Sequence, residues 1–172
     1  MSQPQAAAGP IDQKDIDHWM GKFNSSLADV NGTVNNQSSA GASAWSNNFW
    51  AFISPIDTCL VTWCCPCVTF GKTHHRLHKD ANLEGYSPIN TSCLMFCAST
   101  YFPLWCFPIA AQRADIRAKY NLEGSCVADL LCGWCCSCCS IVQMDKEVAD
   151  REKLTGDRQG YQAQGGMSYP GK

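Results

Sequence analysis

All thirteen cysteines of this 172-residue chain fall between Cys59 and Cys139, and the flanks on either side hold none. Cysteine at this density cross-links a small secreted domain, holds metal, carries lipid or packs as a slim hydrophobe. The N-terminus, MSQPQAAAGPIDQKDIDHW, lacks the basic start and apolar run of a signal peptide, so the thiols are expected to face a reducing cytosol. There, clustered cysteines serve more often as metal ligands, acylation sites or core residues than as bridges. The odd count leaves at least one thiol unpaired.

A formal charge of -2 and a pI near 6.0 leave no basic surface to neutralise a run of phosphates, which excludes nucleic acid as a partner. The length suits one domain with tails. Residues 1–44 are rich in Ser, Asn, Gln, Gly and Ala, and VNGTVNNQSSAGASA has no apolar repeat, so a mostly disordered tail is expected. Within it Ile16, Trp19, Met20 and Phe23 stand at helical spacing, which suits a short amphipathic helix docking on a membrane or partner, or a transient helix. Residues 154–172, rich in Gly, Gln and Tyr, read as a second disordered tail.

The domain between the tails, residues 45–153, is expected to be mainly α and cysteine-rich. Trp45, Phe49, Trp50 and Phe52 form an aromatic cluster ended by Ser54-Pro55 and suited to a core or an interface. Pro66 can open a helix through CVTFGKTHHRLHKDAN, placing His74 and His78 one turn apart. Gly85 to Gln112 carries no charge. Residues 90–112 suit a transmembrane helix by length and polarity, but Pro103 and Pro108 favour a rival, two shorter helices near 91–102 and from Pro108 onward. Gly124 to Lys153 contains no proline and reads as one long helix.

Along that helix Asp129, Cys132, Cys136, Cys139 and Gln143 share one face. The stripe can present thiolates to zinc or cadmium, or merely give a slim packing face. Cys64-x2-Cys67 with His74 and His78 has the composition of a Cys2His2 site, although the intervening segment is short and helical; solvated histidines are the plainer reading. Arg113 and Arg117 stand one turn apart, as do Asp115 and Lys119, giving either a solvated ion-paired face or a cationic rim for lipid phosphates. No phosphate-cradling glycine loop, nucleophile elbow or oriented Cys–His pair appears, so no enzyme is expected.

Two motifs carry a family likeness. Cys59 is followed by Cys65-Pro66-Cys67 and VTFGK; later comes RADIRAKYNLEGSCVADLLCGWCCSCCSIVQMDKEV, with its arginine-bearing helix, glycine, aspartate and Cys-x2-Cys-x3-Gln ending. Over Trp45 to Asp150 the chain resembles the cysteine-rich placenta-specific eight family, which includes plant cadmium-resistance proteins, fruit-weight and cell-number regulators and cornifelin. The resemblance places Cys59, Cys65 and Cys67 in the first motif, Arg113 and Arg117 in the helix, and Asp129, Cys136, Cys139 and Gln143 in the second. It implies a protein of the plasma membrane with cytosol-facing tails, metal tolerance or transport, and homo-oligomers. The expected ligands for zinc or another soft divalent ion are Cys59, Cys65, Cys67, Cys136 and Cys139, with Asp129, Cys132 and Gln143 along a pathway. The alternative is a peripheral or cytosolic growth-regulatory module with structural zinc or palmitoylated cysteines and no transport. The short first apolar run and the two prolines of the second depart from many relatives and argue against a simple two-span topology.

Overall fold

The structure, a computed structural model, describes residues 10–49 and 56–160, with side chains of the last helix as far as residue 155. Trp50, Phe52 and Ser54-Pro55 of the expected aromatic cluster, residues 1–9 and the tail beyond residue 160 lie outside the described residues. Eight helices are described: α1 (Gln13–Ala28), α2 (Val30–Val34), α3 (Ile56–Cys64), α4 (Pro66–His78), α5 (Thr91–Tyr101), α6 (Cys106–Tyr120), α7 (Cys126–Cys135) and α8 (Ser137–Gly160). The chain is mainly α, as expected, and two isolated bridges, Gln37 with Ser125 and Ser43 with Leu122, tie the N-terminal segment to the α6–α7 turn.

Local chemistry sets most boundaries. Pro66 sits in the first turn of α4, where its missing N–H costs nothing. Asn90 and Ser125 accept from the Cys93 and Ala128 backbone N–H groups and cap α5 and α7. Asn121, left-handed at φ 51°, ends α6. Phe102, extended because a proline follows, parts α5 from α6. The uncharged run is therefore two short helices, and no helix among the described residues is long and apolar enough to cross a membrane. Of the two readings of 90–112, the single transmembrane helix is set aside and the two shorter helices are the ones formed.

The long helix expected from Gly124 to Lys153 is also two. Cys136 leaves the helical conformation (φ -145°, ψ 85°), its sulfur accepts the Cys139 backbone N–H at 3.3 Å, and a disulfide joins Cys136 to Cys139. A cysteine thus ends one helix and caps the next, so no glycine or proline at the break announces it.

α4, α6 and α8 run in one direction: Thr73 and Arg76 reach Asp145, Arg113 reaches Gln143, and Tyr120 reaches Glu152. α5 and α7 run the other way, with Phe70 stacked on Phe96 while Gly71 abuts Asn90, and with Gly133 against Ile109 while Arg117 meets Asp129. Phe70, Leu77, Phe96, Ile109, Ile116, Leu122, Ile141, Met144 and Val148 form the core between them. The N-terminal segment folds onto this bundle. Trp19 packs on Phe70 and donates to Ser92, and Lys79 pairs with Asp12 and Asp15. Helix α1 is thus a docked element, where little fixed structure was expected.

Candidate functional site

Three polar or reactive constellations follow from this packing. The first is ionic and buried. Asp129 accepts from Arg113 Nε at 2.9 Å on one oxygen and from Arg117 Nε at 2.8 Å on the other. Arg113 also donates to Gln143 Oε1 at 2.8 Å and lies 4.3 Å from the Trp45 ring centre. Gln143 in turn donates to the Asn47 carbonyl. Both arginines are only 5% exposed, which rules out a solvent-facing cationic rim. Lys119 does not pair with Asp115; it binds Glu152 and the Leu77 carbonyl, while Asp115 meets Lys22, His18 and His78. The motif residues Arg113, Arg117, Asp129 and Gln143 therefore converge on one knot locking α6, α7 and α8.

The thiols are distributed differently. Cys59, half-buried on α3, lies beside Cys138 of α8, and burial together with that neighbour pushes the Cys138 thiol up. Cys64 and Cys65 are exposed at the α3–α4 turn. Cys67 is half-buried against Cys93, whose thiol burial and Cys67 push up to about 12. Cys132 is half-buried on α7, and Cys136 and Cys139 are bonded to each other. Cys59, Cys65, Cys67, Cys136 and Cys139 do not gather: among the described residues, no group of three ligand-bearing side chains at metal-binding distance includes any of them.

The group that does gather is His18 of α1 with His74 and His78 of α4. One ligand atom from each lies within 4.8 Å of the others. His74 Nε2 is 3.5 Å from Asp15 Oδ1, and Asp115 Oδ2 is 3.3 Å from His18 Nε2 and 3.6 Å from His78 Nε2. Burial lowers the pKa of both His18 and His74. Burial pushes the Asp115 carboxyl up, but hydrogen bonds with His78 and Lys22 outweigh it and hold it below its usual value. His75, by contrast, turns to the Glu84 carbonyl. The sequence pairs His74 with His78; it gives no sign of His18, dozens of residues upstream on a docked helix.

The third constellation is a surface. The α3–α4, α5–α6 and α7–α8 junctions lie at one pole, because Thr62 near the end of α3 contacts Cys138 at the start of α8, and Gly133 near the end of α7 abuts the Cys106 carbonyl at the start of α6. The three junctions fall within the runs 58–71, 85–112 and 130–144, which carry no charge. Trp63, Tyr101 and Trp134 are 76%, 83% and 69% exposed there, beside exposed Phe102, Phe107 and Leu131. Cys64, Cys65, Cys97 and Cys135 are exposed in the same segments.

Fold and site define a small, cysteine-rich helical protein with an ion-paired half and an apolar, thiol-bearing pole. The chain belongs to the PLAC8 family, whose model matches residues 45–147. It is 29% identical to plant cadmium resistance protein 1 of Arabidopsis thaliana over 132 residues, covering 72% of this chain and 83% of that protein. It is 30% identical to plant cadmium resistance protein 2 of the same plant (62% and 68% covered), and 33% identical to cell number regulator 1 of Zea mays (64% and 56%). These relatives are named as resistance or regulator proteins, not as enzymes. No solved structure matches the chain.

Proposed function

We propose that this chain acts at a membrane surface as a metal-tolerance or growth-regulatory protein, seated by its apolar pole without crossing the bilayer. The observation that carries this reading is the outward display of Trp63, Tyr101 and Trp134 on three uncharged helix junctions at one pole. Water is a poor solvent for such a surface; interfacial lipid suits both the apolar rings and their polar edges. Burying each large side chain contributes about 1.5–3 kcal/mol, so a few suffice for stable seating. The exposed cysteines stand where acylation would add a second anchor.

Conduction through a thiol and carboxylate stripe fits less well. Asp129 would have to leave two buried arginines, and stripping one partner from a buried ion pair costs about 3–5 kcal/mol. Binding, not conduction, is therefore the proposed metal role.

The test uses the reduced full-length chain, free of lipid modification, and phosphatidylcholine vesicles with and without phosphatidylserine. Expected are co-flotation and a blue shift of tryptophan emission with both vesicle types, and at least a ~100-fold loss of affinity in W63D/W134D, since 1.4 kcal/mol is tenfold. Failure of the wild type to float, or flotation of W63D/W134D with unchanged affinity, would overturn the seating.

A further inference from the structure

We infer that His18, His74 and His78, with the Asp115 carboxylate, form a binding site for a single divalent transition-metal ion of the zinc type, set apart from the cysteines. Helix α4 supplies two rings because i and i+4 share a face, and docked α1 brings the third. Ring centres are 5.1 Å (His18–His74), 4.5 Å (His18–His78) and 4.6 Å (His74–His78) apart.

The polar atoms inside the cluster point to an absent partner. His74 Nδ1 is buried without a hydrogen bond on a side chain only 2% exposed, while His18 Nε2 and Asp115 Oδ2 are buried with only each other, at 3.3 Å, and His78, at 3.6 Å, as polar neighbours. Buried polar atoms are nearly always satisfied, so a buried, unpartnered imidazole nitrogen beside two further imidazoles and a carboxylate oxygen is an anomaly that a cation would resolve. Asp15 beside His74 Nε2 favours the proton there and leaves Nδ1 a free lone pair, the arrangement by which a carboxylate orients a metal-binding imidazole. Lys22 engages the Oδ1 oxygen of Asp115, leaving Oδ2 toward His18 and His78.

Three imidazoles and a carboxylate oxygen suit zinc, cobalt or nickel; a softer ion prefers thiolates. At a zinc–nitrogen distance of about 2.1 Å, tetrahedral ligand atoms sit roughly 3.4 Å apart, so ligand atoms now within 4.8 Å of one another need close by at most about 1.4 Å. The inference does not rest on the membrane reading, since the cluster lies on α1 and the later turns of α4, away from the α3–α4 junction.

Co2+ titration of the full-length, reduced chain tests it, because the spectrum reports ligand type. Expected is one Co2+ per chain, visible d–d bands without thiolate-to-cobalt charge transfer, and displacement by Zn2+. C64S/C65S/C97S/C135S should bind unchanged, whereas H18A/H78A should lose more than the ~10–100-fold that second-sphere changes cost. Their side chains are 24% and 31% exposed, so folding should survive; if circular dichroism shows the double variant unfolded, H18Q and H78Q singly decide. No uptake by the wild type, charge-transfer bands that vanish with the cysteines, or unchanged affinity in the folded histidine variants would each overturn the site.

Discussion

Asp129 is one carboxylate between two guanidinium groups, 2% exposed, and its environment sets the cost of removing it. D129A would leave two buried cations facing each other and should destabilise the fold by about 3–5 kcal/mol, measurable by urea unfolding. The cysteines divide just as sharply. Cys93, 4% exposed and with its thiol pushed up to about 12, should resist alkylation at pH 8, while exposed Cys64, Cys65, Cys97 and Cys135 react; mass mapping after brief iodoacetamide treatment orders them. At this scale the sequence named Arg113, Arg117, Asp129 and Gln143 as motif members but not as one knot. Helical spacing shows which residues share a face of their own helix and says nothing of which faces meet. The same blindness hid His18 and spread the expected thiol ligands.

Between elements, small residues set how closely helices approach. A Cβ on Gly133 would lie 3.1 Å from Ile109 Cγ2, so G133V should force α7 from α6 and cost about 1–3 kcal/mol as overpacking does, read as a lowered Tm. Docking of α1 is a separate matter. It rests on Trp19 against Phe70 and His74 and on Lys79 with Asp12 and Asp15. W19A should release α1 locally, so that hydrogen exchange over 13–28 accelerates while the α6–α8 amides keep their protection. Helix placement was largely readable: Pro66 and Pro103 act through backbone rules that need no tertiary context, and α5 and α6 follow the two-helix alternative. The break at Cys136 was not, because it depends on a sulfur cap and a bridge to Cys139 that only the folded chain displays.

Across the whole molecule, charge and oil are sorted to opposite poles. The α6 and α8 helices leave the apolar pole together and end side by side where Glu152 meets Lys119 at 2.7 Å and accepts from the Tyr120 hydroxyl. Burial pushes the Glu152 carboxyl up, but hydrogen bonds from Lys119 and Tyr120 outweigh it and hold it below its ordinary value near 4.5. Tyr120 moves the other way, raised above 10 by burial and then by Glu152. The signs bound a window. A depressed carboxyl gives stability that is full above about 4.5 and lost as pH falls through its folded value, because the unfolded chain then binds more protons. A raised phenol gives stability that is full below about 10 and lost as pH climbs through its folded value, because the folded chain then keeps the proton. Asp12, Asp15 and Asp115 are depressed too, and Tyr86 and Cys93 raised, so thermal melts from pH 3 to pH 11 should show E152Q making the acid limb shallower and Y120F the alkaline limb, without abolishing either. The apolar pole has no carboxylate in its three junction segments, so vesicle affinity should stay level between pH 5 and pH 7, below the range in which thiols ionise, in wild type and both variants. A vesicle affinity that followed the melting limbs would mean that seating draws on the ionic pole, and the division of labour between the two ends would be wrong.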